Sequence, residues 1–406
     1  MQKLPLESLD HVLEQIVTQA QALPTTRLPL TRALESVIAH DVTSPIDVPA
    51  FTNSAMDGYG ISYAQIEHLS TQTPFTVIGR SLAGHPYTGR ALECYRCIQI
   101  MTGAALPSCV DTVVPFRLVR QQGDTILISP DSIKAHANVR TQGEEIHKDR
   151  IVLSKGTRLT PYHIGLLASL GIAKITVYQK PNIAIFSTGD ELQELGHPLQ
   201  AGQIYNVNGY ALTAYFQKLG YTVLNLGILP DRPEAIQAAL ENTHADIFIT
   251  SGGVGQGTRD YLSQSLAKHY HWKHVHIAMR PGKPLVFGRF ITQNQYKYFF
   301  GLPGNPIAAM LSAQTFIEPL LQQLRQETTT EQIFQARLTH HIKHRPGRTE
   351  FVRGTLSMHE DTLVFTPYKN QGSAMFTSMT RSNAIATITP DKENLQAGDF
   401  VRVHLL

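Results

Sequence analysis

The chain has 406 residues, 42% of them hydrophobic and 17% charged, with a formal net charge of +3; at roughly 100 to 200 residues per domain, that length predicts two to four domains rather than one core. No apolar run approaches the ~20 residues needed to cross a bilayer, and no basic-then-apolar leader follows Met1, so a soluble, cytoplasmic protein without membrane association is expected. The basic residues are scattered instead of gathered into arms, which excludes nucleic acid as an expected partner, and three cysteines, Cys94, Cys97 and Cys109, cannot close a disulfide framework.

The first expected element is a helix. Ser8 stands where a cap is needed, and Leu9, Val12, Leu13, Ile16, Val17 and Ala20 recur at helical spacing. From residue 43 to about 139 the pattern changes to short β-like runs, at 75–78, 97–101, 112–115 and 125–128, separated by Gly, Pro and Asp turns. Cys94 and Cys97 form a C-x-x-C, but a zinc site would need a second ligand pair and a thioredoxin-like motif would open a helix, whereas the run from Cys97 to Met101 reads as a strand. Thr160-Pro161 then opens a short helix that Gly171 ends. The expected arrangement is a β-rich insert interrupting a helical and extended domain.

From residue 181 strand and helix alternate. Strands are expected at 183–187, 222–226 and 246–250, helices at 207–219, 233–241 and 260–268, apolar runs at 284–287 and 298–301, and a long helix from 306 to about 324. Such alternation predicts a mostly parallel, doubly wound α/β sheet with ligands at the carboxyl ends of its strands. After a polar linker at 326–331, β patterns return at 334–340, 351–356, 363–367, 384–389 and 400–405 and predict a small C-terminal β-barrel or sandwich. The fold class is therefore α/β and β, multidomain.

Four clusters fall where strands of the α/β part end. Ser187-Thr188-Gly189-Asp190-Glu191 combines hydroxyls, amide hydrogens and two acids, a set that cradles an anion while an acid holds a cation, or equally caps a helix. Ser251-Gly252-Gly253, leading to Asp260, is glycine-rich enough for the backbone to approach a phosphate, although it matches neither common nucleotide-loop pattern. Arg280-Pro281-Gly282-Lys283-Pro284 fixes two cations on a stiffened backbone. Gly301-Leu302-Pro303-Gly304-Asn305-Pro306 places a cap residue and a proline at a helix start. A cap or a turn accounts for each cluster alone; four on one sheet describe an anion-lined crevice, with Asp190, Glu191, Asp231 and Asp260 available to a hard cation such as magnesium. A ligand resembling a nucleoside diphosphate fits that inventory. In the β-rich insert, the runs around Asp57 and Thr102 read singly as β-turns, and Arg140 beside Glu144 and Glu145 reads as a surface ion pair.

As an ordered set these motifs resemble the molybdopterin molybdenumtransferase family, which includes MoeA in bacteria and the E domain of gephyrin in animals. The resemblance covers nearly the whole chain. Its most specific part is Asp47-Val48-Pro49-Ala50-Phe51-Thr52-Asn53-Ser54-Ala55-Met56-Asp57-Gly58-Tyr59; Met101-Thr102-Gly103-Ala104, the four clusters above and Gln371-Gly372-Ser373 follow in the family's order. The resemblance implies a discontinuous elongated linker and dimerisation domain (1–44 and 140–178), a β-rich insert (45–139), an α/β molybdopterin-binding domain (179–326) and a C-terminal β-barrel (327–406). It also implies a homodimer whose cleft draws on both subunits. By the same resemblance Asp57, Thr102, Arg140, Glu191, Asp231, Asp260, Pro303, Pro306, Arg353 and Ser373 fall on functional positions. The implied reaction inserts molybdate into the dithiolene of adenylyl-molybdopterin and releases AMP. A magnesium ion held by Glu191 and Asp260 would polarise the pyrophosphate link, and Arg280 and Lys283 would offset charge on phosphate or molybdate. Ser187, Thr188, Gly189, Ser251, Gly252, Gly253, Pro303, Asn305, Pro306, Arg353 and Ser373 complete the expected substrate contacts. The adenylyltransferase that makes the substrate and the apo-molybdoenzymes that receive the product are further candidate partners.

The chain departs from the family pattern in several places. Glu145 stands where the family carries Asp, one methylene shorter. Gly255 replaces a usual Ser, Thr258 a usual acid, Arg280 and His276 usual Lys residues, and Arg232 a second acid after Asp231. The loop region becomes more positive. Two alternatives therefore stand beside the transferase: a catalytically weakened molybdopterin-binding paralogue acting as carrier or scaffold, and the preceding adenylyl transfer, whose enzymes share the α/β part but lack the insert and the barrel.

Overall fold

The computed structural model describes residues 5–69, 71–129, 133–253, 270, 272–292, 295–329 and 332–406. The helix expected at 260–268 lies outside them, as does Asp260. The described chain forms two compact units: residues 1–39, 156–160 and 176–406 make the first, and residues 40–155 and 161–175 the second.

The first unit contains a seven-stranded sheet in the order Leu6–Glu7, Trp272–Ile277, Pro284–Thr292, Gln295–Leu302, Ile247–Ser251, Ile183–Thr188, Val223–Leu229. The last four are mutually parallel. Pro284–Thr292 runs antiparallel to both of its neighbours, so the sheet is mostly parallel, as expected, with one antiparallel strand inside it. Helices cover both faces, and the strand alternation sets which residue faces which. Ile183, Ile185, Ile247 and Ile249 pack with Val12, Ile16, Leu212, Phe216 and Leu320. Ala184, Phe186 and Phe248 point the other way, onto Ile236 and Leu240 of the helix Pro233–Asn242. This is the doubly wound arrangement.

Local chemistry sets the helix limits. Ser8 caps Leu9–Val17 by accepting a hydrogen bond from His11 N at 3.2 Å. Asn206 caps Val207–Lys218 by accepting one from Gly209 N at 3.0 Å, and Gly220, with φ of 78°, turns the chain out of that helix. The long helix after Pro306 is interrupted: Ala313–Ile317 takes π-helical spacing between Pro306–Ser312 and Glu318–Leu324. Where it ends, Glu327, its side chain only 4% exposed, bridges Arg325 at 2.6 Å and Arg158 at 2.7 Å. Opening such a buried cluster by removing one partner costs about 3–5 kcal/mol, so these residues tie segment 156–160 to the end of the long helix.

Five strands, Phe334–Leu338, Thr349–His359, Thr362–Pro367, Ala384–Ile388 and Phe400–Leu405, close into a barrel around Ala336, Val352, Phe365, Ala386 and Val403. Its seam with the sheet is the short strand Met279–Arg280, which pairs in parallel with Thr349 and Glu350, while Thr349 N donates to Ala278 O at 2.8 Å.

The second unit contains a six-stranded sheet in the order Thr112–Pro115, Gly58–Ile61, Arg96–Ile100, Thr73–Ser81, Thr125–Ile128, Val119–Gln122. Ile61, Phe75, Cys97, Val114 and Ile126 fill its core. Cys97 is buried in its strand as the pattern predicts, and burial pushes its thiol pKa up to about 12. No helix among the described residues is long and apolar enough to cross a membrane.

Candidate functional site

The mixed sheet brings the four sequence clusters to one end. The parallel strands finish at Thr188, Leu229, Ser251 and Leu302, so Gly189-Asp190-Glu191, Asp231, Gly252-Gly253 and Pro303-Gly304-Asn305 all leave the same edge. Pro284–Thr292 runs the opposite way beside Gln295–Leu302, which brings its start, and the preceding Arg280-Pro281-Gly282-Lys283, to that edge too. A cavity of about 880 Å3 opens there, and the barrel supplies its remaining wall through Arg348, Glu350, Phe351, Arg353, Gln371, Gly372 and Ser373. This is the placement a doubly wound sheet predicts for a ligand.

Close backbone approach makes the cavity floor. Gly252 has φ of 97°, and a Cβ built on it would lie 2.3 Å from Thr188 O, so only glycine fits where the two loops touch. Gly252 N donates to Leu302 O at 3.1 Å, linking a third loop. Beneath them Ser187 Oγ donates to Asn206 Oδ1 at 2.8 Å, and Asn208 Nδ2 donates to Ser251 Oγ and, at 2.8 Å, to Gly304 O. The hydroxyls of Ser187 and Ser251 are therefore engaged in fixing the loops, and neither residue lines the cavity. Thr188 differs: it lines the cavity, is 2% exposed, and its hydroxyl has no hydrogen-bond partner among the described residues.

Asn305 occupies the cap position of Pro306–Ser312, but its side chain makes no capping bond and lines the cavity instead. Capping therefore does not explain it. Pro306 holds the first helical turn and is not in the wall. Arg353 reaches the wall although only 1% exposed. Its Nε donates to Ser378 Oγ at 3.1 Å and its Nη2 to Gly372 O at 3.2 Å. Burial lowers its pKa, opposed by the charge of Glu350. Arg353 thus shapes the 372–373 loop and presents charge beside Ser373.

Four cations, Arg280, Lys283, Arg348 and Arg353, and four acids, Asp190, Glu191, Asp231 and Glu350, share the cavity wall. The carboxylate of Glu191 folds back over Gly189, within 3 Å of where a Cβ there would stand. Carboxylate oxygens of this kind suit a hard cation. Arg348 and Glu350 were not singled out from sequence. The available signal was a pair of charges at the entry of a barrel strand, where an acid has no packing reason to be buried.

Asp57, Thr102, Arg140 and Glu145 belong to the second unit. Asp57 Oδ1 accepts from Thr102 N at 2.7 Å and from its hydroxyl at 2.8 Å. These bonds, the backbone one foremost, hold the Asp57 carboxyl below the usual carboxylate range. Arg140 pairs through its backbone with Asn53. Glu144 turns back to accept from Thr141 N at 2.8 Å instead of pairing with Arg140, a local turn being closer than a flexible arginine. Glu145 lines a separate cavity of about 300 Å3 with His147, Arg150 and Leu166.

Three family models match the chain: "MoeA N-terminal region (domain I and II)" over residues 7–171, "Probable molybdopterin binding domain" over 184–323, and "MoeA C-terminal region (domain IV)" over 335–406. A molybdopterin molybdenumtransferase of Haemophilus influenzae is 35% identical, with 98% of each chain covered. One from Bacillus subtilis is 30% identical, covering 98% of this chain and 94% of its own. The crystal structure of a molybdopterin biosynthesis moeA protein from Pyrococcus horikoshii matches with a TM-score of 0.84 at 25% identity, over 99% of this chain and 100% of that one. The likenesses cover nearly the whole chain and include every residue of the cavity wall: the chain belongs to the MoeA family of molybdopterin molybdenumtransferases.

Proposed function

We propose that the chain is a molybdopterin molybdenumtransferase that inserts molybdate into adenylyl-molybdopterin with magnesium-dependent release of AMP. The observation that carries this reading is the first unit's cavity, where four strand-end loops and the barrel set four cations against four carboxylates. Both substrates are oxyanions, and such ligands need hydrogen-bond donors and cations in a partly dry site. Arg280 and Lys283 offset charge on phosphate or molybdate. Thr188, Ser373 and the amides of Gly189 and Gly253 supply donors. Pro303 and Asn305 shape the wall from the third loop, and Pro306 behind them holds the first turn of the helix that follows.

The acids fit a divalent ion. Magnesium is held by one or two carboxylates, with water and substrate phosphate oxygens completing its shell; Glu191 and Asp260 are the proposed pair, and Asp190 and Asp231 line the cavity with Glu191. Bound there, it supplies positive charge at the phosphoanhydride as AMP leaves. The dithiolene sulfurs come from the substrate, so no protein thiol takes part. Asp57, Thr102, Arg140 and Glu145 are assigned to the reaction on the resemblance alone, as is the homodimer, for which sedimentation of the purified chain is the check. The test of the activity is AMP release from adenylyl-molybdopterin with purified components. Release should require both molybdate and magnesium and should stop on chelation with EDTA. Tight binding without AMP release would favour a carrier.

A further inference from the structure

A carboxylate in the wall of an oxyanion cavity repels its ligand unless fixed partners meet its charge. Glu350 has two such partners. Its Oε1 lies 3.4 Å from Arg280 Nη1, and its Oε2 lies 2.9 Å from His344 Nδ1. Exposure falls steeply along this chain of contacts: the side chains of Arg280, Glu350 and His344 are 66%, 11% and 1% exposed. The backbone holds all three in place, since Arg280 pairs with Glu350 across the barrel seam and His344 N donates to Asn394 Oδ1 at 3.0 Å.

His344 Nε2 is buried without a hydrogen-bond partner among the described residues. The ring's one bond therefore goes to the acid, and the bonding pattern assigns the proton to Nδ1, which donates to Glu350. A guanidinium and a carboxylate left to themselves prefer two parallel bonds, which would use both oxygens of Glu350 and two donors of Arg280. With one oxygen bound to His344, Arg280 is held at a single point, and its remaining donors stay open toward the cavity it lines. Arg353 and Arg348 stand in the same wall, and the charge of Glu350 also acts on Arg353.

We propose that His344 is a positioning residue for oxyanion binding: by binding one oxygen of Glu350 it prevents the acid from closing a two-bond fork on Arg280, and so keeps that arginine available to a tetrahedral oxyanion. The inference rests on the oxyanion role given to Arg280 under Proposed function. The oxyanion is molybdate or a phosphate group of the adenylated substrate, and two probes distinguish them.

Calorimetric titration of the full-length protein with sodium molybdate and, separately, with inorganic pyrophosphate tests it in the wild type, Arg280→Ala, His344→Leu and the double variant, with thermal melts to confirm folding. His344→Leu should weaken binding of one anion about 10-fold, the scale of one hydrogen bond to a charged group. His344→Asn, whose side-chain amide stands where Nδ1 does, should restore most of it. In the Arg280→Ala background His344→Leu should have no further effect, which a merely structural role would not produce. If His344→Leu fails to fold, His344→Phe keeps the ring's volume and carries the same test. Weakening for either anion supports the proposal and names the source. Normal binding in His344→Leu alongside weak binding in Arg280→Ala overturns this proposal alone, as does a His344 effect that persists without Arg280. Absence of anion binding in the wild type, or an inert Arg280→Ala, overturns the role of Arg280 and the proposal with it.

Discussion

Two exposed side chains, Asp57 and Thr102, show how a motif that reads as two turns becomes one chemical unit. The pair cannot be seen in sequence, because 45 positions separate the partners and a turn accounts for each. What the fold adds is a carboxylate kept ionised by a backbone amide and a hydroxyl. Its folded pKa lies below the usual 3.8, so the stabilisation from its bonds is fully present above that value and is lost as pH falls through the lower folded one. Thr102→Val removes the hydroxyl and leaves the amide. Carboxyl-carbon NMR titration should then show the Asp57 midpoint rising part of the way toward 3.8; an unchanged midpoint would mean that the hydroxyl contributes nothing. At this scale sequence was least informative about acids and bases drawn in by distant strands. Arg348 and Glu350 enter the cavity only because Met279–Arg280 pairs with the barrel, and no local periodicity encodes that pairing.

Elements were more legible than their pairing. The strands Ile183–Thr188 and Ile247–Ser251, the capped helices and the barrel strands follow from apolar runs punctuated by Gly and Pro. Trp272–Ile277 did not stand out, because Lys273, His274 and His276 break its apolar pattern; it pairs on one side with only the two residues Leu6 and Glu7, so it needs little apolar surface there. The antiparallel hairpin Pro284–Thr292 with Gln295–Leu302 was read as two separate apolar runs, yet it delivers Lys283 to the carboxyl ends of the parallel strands. The element-level claim is that the loops form one floor through contact of Gly252 with Thr188. Gly252→Ala forces a Cβ to within 2.3 Å of a carbonyl oxygen and adds backbone strain at φ of 97°. It should cost roughly 1–3 kcal/mol, read as a lowered melting temperature, and should weaken anion binding more than Gly304→Ala, where a Cβ meets nothing within 4 Å.

For the whole molecule, the resemblance and the geometry reach one family by separate routes. Residue order along the chain identified it; the cavity then gathers Thr188, Glu191, Asp231, Gly252, Lys283, Asn305, Arg353 and Ser373 from positions spread over 186 residues. The central claim is that this cavity is where adenylyl-molybdopterin is cleaved. The most direct test is a comparison of wild type and Glu191→Gln in two assays on the same preparations, equilibrium binding of adenylyl-molybdopterin and single-turnover AMP release with molybdate and magnesium. Glu191→Gln removes one charge and almost no volume. The account predicts binding within a few-fold of wild type and AMP release slowed by about 100-fold or more, the scale of losing one electrostatic contribution to a transition state. AMP release at the wild-type rate would contradict it.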